Sequence, residues 1–521
     1  MAPPPSSTPA QASPAQAPGP RVHPLGSKTT SAVLVMLVLL GVPYTTGKLA
    51  RFRVARLPGM GAAPADAPTG PVGSAVVLTQ GETELKASKN EATVSNALPS
   101  EPTRVPLDPA VLAKTAGSLA VEDPTGHEMD AFYASLARTE AKEPGAITRI
   151  MHYGDSVITS DYVSGTMRRK LQERYGDSGH GFILIANPWE WYFHNDVVHY
   201  AQEGWSSSRI TGPLTKDGVY GLGGVSFVGA PGASATFGTV DKGKYGTQVS
   251  RFDLYYLEQP SGGDATLAIA GGETSKLSTR GDQKVSRVHS VTVPDGPGKL
   301  TVRATGNGPL RVFGVALERD TPGVVYDALG ANGARMKLWE GMDPGHWGEQ
   351  MALRKPALVV LQFGTNESED GWINMAEYEK TVATIVGRVK AAAPMASVLI
   401  ASPLDRAEKA DDGSFRTKKV IVRLIEGQRK AAKASGAAFW DTFRAMGGEG
   451  SMARWVKATP QLGSWDLTHP TPTGAEVIGD LFVKSLTSGF EAYKSRTPAL
   501  PKPASSAAPP PSSAAPRHSA P

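Results

Sequence analysis

The stretch Arg149-Ile150-Met151-His152-Tyr153-Gly154-Asp155-Ser156 decides the reading of this chain. A largely apolar run enters Gly-Asp-Ser, and a helical pattern comes after it. That reads as a buried strand, a tight turn and a helix. A serine at such a strand end holds its hydroxyl at the carboxyl edge of a sheet, where open α/β proteins do their chemistry. Gly-Asp-Ser alone is a common turn, so Ser156 needs partners. The sequence offers two sets far downstream, Gly364-Thr365-Asn366 and Asp466-Leu467-Thr468-His469-Pro470.

Working outward from Ser156, Tyr162 to Tyr175 has helical spacing, with Arg168-Arg169-Lys170 read as its solvated face. The α/β texture returns only after residue 320. Val324 to Leu329 is a strand leading into Gly330-Ala331-Asn332-Gly333-Ala334, and Ala357 to Phe363 is a continuous apolar run. Such a run suits a strand buried on both faces. Met375 to Ala392 reads as a helix, Ser397 to Ala401 as a strand, Lys418 to Ser435 as a helix and Ala438 to Asp441 as a strand. Gly474 to Tyr493 is the closing helix. Alternating strands and helices predict a mostly parallel sheet covered on both faces, a three-layer flavodoxin-like domain.

Between these halves the texture differs. Short β-type runs recur between Gly, Pro, Asp and Asn: 224–228, 252–257, 265–269, 288–293, 299–304 and 310–317. That spacing predicts an antiparallel sandwich, inserted over 205–320 into an α/β domain of 111–204 and 321–496. Ahead of the insert stands Pro188-Trp189-Glu190-Trp191-Tyr192-Phe193-His194. Its aromatics either wall a sugar groove, with Trp189 and Trp191 as substrate contacts, or pack between domains. His180, His194 and His199 have no partners at regular helical spacing, so no metal site is expected.

The chain of 521 residues has 54 Lys and Arg, 49 Asp and Glu, and a formal net charge of +5. The surplus is diffuse and no basic run is interleaved with aromatics, so nucleic acid is not implied. The absence of cysteine excludes disulfides, cysteine nucleophiles and thiolate metal sites. Residues 1–28 and 497–521, rich in Pro, Ala and Ser, are expected to be disordered. Thr29 to Gly47 carries no charge and is just long enough to span a bilayer as a helix. The favoured reading is an uncleaved single-span anchor, with a cleaved signal peptide and a buried core helix as alternatives. Residues 48–110 then form a flexible spacer. Lys48, Arg51, Arg53 and Arg56 after the span, against Arg21 and Lys28 before it, bias the C-terminal part toward the cytoplasm. Long domains cross largely regardless of that bias, so orientation stays open.

The polar groups at the strand ends form a chemically coherent set. A serine hydroxyl attacks poorly unless a base takes its proton, and His469 has the intrinsic pKa for that. Asp466, three residues earlier, can accept from the other ring nitrogen and fix the tautomer. Acyl transfer also needs donors aimed at the developing oxyanion. The N–H groups of Ser156 and Gly333 and the amide of Asn366 would supply them, with Gly330 a competitor for the second place. Each piece alone has a bland reading as a turn, hinge or cap; all of them in order at successive strand ends do not.

These blocks, Gly154-Asp155-Ser156, Gly333, Gly364-Thr365-Asn366 and Asp466-Leu467-Thr468-His469, resemble the four signature blocks of the SGNH (GDSL-type) hydrolases. The resemblance implies Ser156 as nucleophile, His469 as base, Asp466 as its orienter, and Gly333 and Asn366 in the oxyanion hole. It covers about 145–205 and 320–495. Glu367 stands where the family usually has Asp after the asparagine. An SGNH domain interrupted by a β-sandwich is similar to the bacterial peptidoglycan O-acetylesterases, whose insert resembles a carbohydrate-binding module. The expectation is therefore a bacterial membrane-anchored serine esterase, its catalytic part periplasmic or at the cell surface. It would remove O-acetyl groups from a glycan without any cofactor. The alternatives are a glycan O-acetyltransferase, a lipid or small-ester esterase, and a non-catalytic glycan-binding protein.

Overall fold

The computed structural model describes residues 120–497. The anchor expected at 29–47, the spacer, and the terminal segments 1–28 and 498–521 lie outside them. Among the described residues no helix is long and apolar enough to cross a membrane.

Five strands make the central sheet, in the order Gly323–Gly330, Ile147–Gly154, Leu358–Gln362, Ser397–Ala401 and Ala438–Trp440. Every pairing is parallel. The serine strand is first in sequence but second in space, so the sheet is wound outward from it in both directions. That reversal of strand order opens a crevice at the carboxyl edge. Gly154 pairs in register with Gly330 on one side and Gln362 on the other, so three strands end level around Ser156.

The two faces of the sheet bury separate cores. Met151, Tyr153, Val359 and Leu361 point into one. Helices Pro344–Arg354, Met375–Ala392 and Lys419–Ser435 supply Trp347, Val382, Ile385 and Leu424 to it. Ile150, Leu358 and Val360 point into the other, against helices Asp130–Glu140, Tyr162–Tyr175 and Pro472–Arg496. The alternation along each strand follows from the period of two. The sequence also encodes where helices begin. Asn374 accepts the N–H groups of Ala376 and Glu377, and Thr471 accepts that of Gly474 at 3.1 Å, followed by Pro472 in the first turn.

The β-rich segment forms two antiparallel sheets. One runs Val285–Gly296, Val249–Glu258, Leu310–Glu318, Val225–Gly229, Trp205–Arg209. The other runs Val198–Ala201, Ser234–Gly238, Lys299–Ala304, Asp264–Ile269, Thr274–Ser278. Phe252, Leu254 and Val312 of the first share an apolar core with Phe237, Leu300 and Leu267 of the second. The boundary expected at 205 is drawn too late. Gly181–Leu184 pairs with Leu310–Glu318, and Val198–Ala201 pairs with Ser234–Gly238. Gly-Phe-Ile-Leu has no polar alternation and directly follows a helix, so nothing in its pattern separates it from a parallel strand.

The expected solvated face of the helix Tyr162–Tyr175 is also corrected. Arg168 is only 2% exposed and grips both oxygens of buried Asp161, at 3.1 and 2.7 Å. Arg169 clasps Asp196 at 2.6 and 2.8 Å. Only Lys170 of the three is well exposed, in an ion pair with Asp480. Charge spacing on a helix cannot reveal a carboxylate approaching from a distant loop.

Candidate active site

Ser156 opens a single helical turn, Ser156–Thr159, capped by Asp155, whose side chain accepts the N–H of Val157 at 3.1 Å. The carbonyl of Asp155 takes the N–H groups of Ile158 and Thr159. The turn is tight enough that a Cβ on Gly330 of the neighbouring strand would lie 2.2 Å from the nitrogen of Thr159. Gly330 is therefore a packing glycine. Gly333 has φ +71 and open space around it, so it serves the turn of its own loop. The N–H groups of Ser156 and Gly333 make no backbone hydrogen bond among the described residues.

The loop 464–470 arrives from the other end of the chain. Ser464 N–H donates to the carbonyl of His469 at 2.8 Å, closing the loop on itself. Leu467 adopts φ +60, a left-handed conformation costly for a branched side chain. The turn folds Asp466 back onto His469. Asp466 Oδ1 accepts the N–H groups of Thr468 and His469 at 2.9 and 3.0 Å, and Oδ2 lies 2.6 Å from His469 Nδ1. His469 Nε2 lies 2.7 Å from Ser156 Oγ.

The electrostatics fix the direction of these bonds. Burial alone would raise the Asp466 carboxyl, but hydrogen bonds from the His469 ring and from two N–H groups outweigh it and hold it down to about 2. Asp466 is thus an acceptor only at neutral pH, so Nδ1 carries the proton. Neutral His469 then has a bare Nε2 to accept the serine hydroxyl. The hydrogen bond to Asp466 raises the pKa of His469 against partial burial. The arrangement can withdraw a proton from Ser156 and stabilise the resulting imidazolium.

Asn366 follows the third strand of the sheet in space. Its Nδ2 donates to the carbonyl of Ala334 at 2.9 Å, next to Gly333. Thus Ser156, His469 and Asp466 are joined directly, and Gly333 and Asn366 stand together at the ends of their strands. Trp189 is half-buried and packs against the core, whereas Trp191 is 64% exposed. Tyr192 is buried, its hydroxyl accepting the N–H of Leu184. The aromatic stretch therefore divides between packing and surface. Phe193 N–H donates to the carbonyl of Thr159, bringing the stretch beside the serine turn.

Sequence reasoning missed two supports and two surface aromatics. Arg406 follows the fourth strand at the same sheet edge. Its guanidinium reaches Thr468 Oγ1 at 2.9 Å, the carbonyl of Thr365 at 3.1 Å and Ser368 Oγ at 2.9 Å, and pairs with Glu369. Glu367 is buried beneath the Gly333 loop. The signal for both was their position just after a parallel strand. Trp372 and Trp465, 95% and 69% exposed, stand on the Asn366 and His469 loops.

His180 and His194 do meet, Nε2 to Nδ1 at 3.0 Å, beside Asp161, a trio with the spacing of a metal site. His199 instead stacks on Phe237. The carboxylate of Asp161 is already filled by Arg168, Ser164 and Asn195. A cation would have to displace a guanidinium, so the residues present fit an ion pair and not a metal.

Residues 290–477 match the GDSL-like Lipase/Acylhydrolase family. That segment holds Gly333, Asn366, Asp466 and His469; Ser156 lies before the inserted strands. No curated protein matches the chain. Among solved structures, one titled "Peptidoglycan O-acetylesterase in action, 5 min" is 22% identical with TM-score 0.58, over 70% of this chain and 96% of that one. A family two carbohydrate esterase from Cellvibrio japonicus is 12% identical with TM-score 0.25, over 57% and 98%. One from Clostridium thermocellum, in complex with cellohexaose, is 8% identical with TM-score 0.24, over 52% and 98%. The first shows a shared fold; the other two overlays are too weak to carry an argument. Residues 290–477 are thus similar to a GDSL-like lipase/acylhydrolase domain, and the strand order is that of a fold shared with the first of these structures.

Proposed function

We propose that the protein is a serine esterase that removes O-acetyl groups from a glycan, with cell-wall peptidoglycan or another surface polysaccharide as the substrate class. The hydrogen-bonded line from Ser156 through His469 to Asp466 carries the proposal. Ser156 Oγ attacks the acetyl carbonyl as His469 Nε2 takes its proton. The oxyanion is met by the N–H groups of Ser156 and Gly333 and the amide of Asn366. His469 returns the proton to the departing sugar oxygen. Water, activated by the same histidine, then releases acetate and frees Ser156.

The glycan class rests on the fold shared with a peptidoglycan O-acetylesterase and on exposed Trp191 beside the serine turn. The stretch 29–47 would tether the enzyme as a single-pass membrane protein, and a cell-wall substrate would put its catalytic part in the periplasm or at the cell surface. The test is acetate release from O-acetylated peptidoglycan and O-acetylated xylan, with Ser156→Ala as control. Release from peptidoglycan that vanishes in the variant supports the proposal. Release from xylan alone keeps Ser156 and removes the cell-wall substrate. No release from either, by a folded protein, shifts the reading to acetyl transfer or glycan binding.

A further inference from the structure

Two loops must cooperate for the oxyanion chemistry, and they leave different strands. One carries Gly333 after Gly323–Gly330; the other carries Asn366 after Leu358–Gln362. Glu367 bridges them from below. Its Oε1 accepts the N–H of Met336 at 2.8 Å, and its Oε2 accepts the N–H of Gly364 at 3.1 Å. Met336 stands three residues after Gly333, and Gly364 two before Asn366, so one carboxylate spans both loops. The residue is 4% exposed.

This placement is costly. Among the described residues, no lysine or arginine forms an ion pair with Glu367 or with neighbouring Asp155. Burial, reinforced by Asp155, pushes the Glu367 carboxyl up to about 7 despite its N–H donors. Asp155 is itself raised, chiefly by burial. Two neighbouring buried carboxyls with no ion-pair partner are unfavourable for a fold, even with hydrogen-bond donors around them. The two N–H groups, however, go to different oxygens of Glu367, and a side-chain amide has only one oxygen to offer.

We propose that Glu367 is a positioning residue that sets the Gly333 N–H and the Asn366 amide against the oxyanion formed at Ser156. The proposal rests on the acyl-transfer reading above. Two other ties support the same junction, the Asn366 to Ala334 hydrogen bond and the ion pair of Arg335 with Asp370. Among the described residues, Glu367 alone holds the backbone of both loops at once.

The test uses the intact protein and turnover of p-nitrophenyl acetate by wild type, Ser156→Ala, Glu367→Gln, Asn366→Ala and the double variant Glu367→Gln/Asn366→Ala. Glu367→Gln turns a donor toward one of the two N–H groups. Its kcat should fall about 100-fold, the scale of losing one oxyanion donor, with KM unchanged. In the Asn366→Ala background the same substitution should cost less than in wild type, because one of the two donors it positions is gone and only the Gly333 N–H is left to displace. Equal losses in both backgrounds, or wild-type kcat in Glu367→Gln, overturn the proposal and leave the Ser156 reading intact. Wild-type turnover by Ser156→Ala overturns both. Should Glu367→Gln not fold, Glu367→Asp takes its place. It keeps the charge but is one methylene too short to span the loops, and unchanged kcat there is equally fatal.

Discussion

Ser156 Oγ and His469 Nε2 lie 2.7 Å apart although 313 residues separate them in sequence. The β-rich insert accounts for much of that separation. The contact makes His469 the group whose ionisation governs Ser156, and its pKa is raised by the hydrogen bond to Asp466.

Ester turnover should therefore fall as pH drops through a value above 6.5, the ordinary histidine value from which His469 is raised. Protonated His469 cannot accept the serine proton, so the loss is on the acid side. Asp466→Asn removes the partner that holds the imidazolium, so the acid limb should move to lower pH and the plateau fall about 10³- to 10⁴-fold. A pH profile of kcat/KM, recorded in the Glu367→Gln background so that the Glu367 carboxyl, itself raised to about 7, adds no limb of its own, checks both. An acid limb that stays in place in Asp466→Asn would sink this assignment.

Arg406 exerts the opposite influence. Its positive charge lowers the His469 pKa, while its guanidinium ties the Thr365–Ser368 turn to Thr468. Arg406→Gln should shift the acid limb upward and reduce kcat by up to about 100-fold through loss of alignment. A limb that stays in place would show that the guanidinium acts only through packing.

The buried pair of Arg168 with Asp161 is a matter of stability. Replacing Arg168 with methionine leaves a carboxylate buried without its cation. The expected cost is about 3–5 kcal/mol, read from chemical denaturation at neutral pH. The loss should shrink in the double variant Arg168→Met/Asp161→Asn, which removes the orphaned charge.

Trp191 offers a test of the glycan proposal. Its ring is 64% exposed, so Trp191→Ala should leave stability nearly unchanged. Turnover of p-nitrophenyl acetate should also be retained, while KM for O-acetylated peptidoglycan rises several-fold. Equal effects on the two substrates would remove Trp191 from glycan contact.

Much of this was legible from local pattern. Apolar runs such as Leu358–Gln362 and Ser397–Ala401 announce strands buried on both faces, and the helix Met375–Ala392 is bounded by its own cap. The candidate site was legible because the Ser156, Gly333 and Asn366 blocks each follow a strand of the sheet, and the Asp466 and His469 block stands in the loop before the closing helix, in a combination that turns alone do not require. What was not legible depends on distant partners. Arg168 looks like a surface charge until Asp161 approaches it, and Gly181–Leu184 looks like a parallel strand until Leu310–Glu318 claims it. Glu367 reads as a small departure from a motif until its two oxygens are seen to reach two loops.

The placement of the insert between the first and second strands of the sheet has a consequence for biosynthesis. Ser156 leaves the ribosome long before its base. At about 5–20 residues per second, the 313 positions to His469 take roughly 15–60 s. Until the end of that interval the Ser156 hydroxyl lacks the His469 ring that it contacts in the finished fold, and the closing helix Pro472–Arg496 follows later still. On the proposed mechanism, hydrolytic capacity would therefore switch on only once His469 has been made and the two ends of the domain have closed on each other.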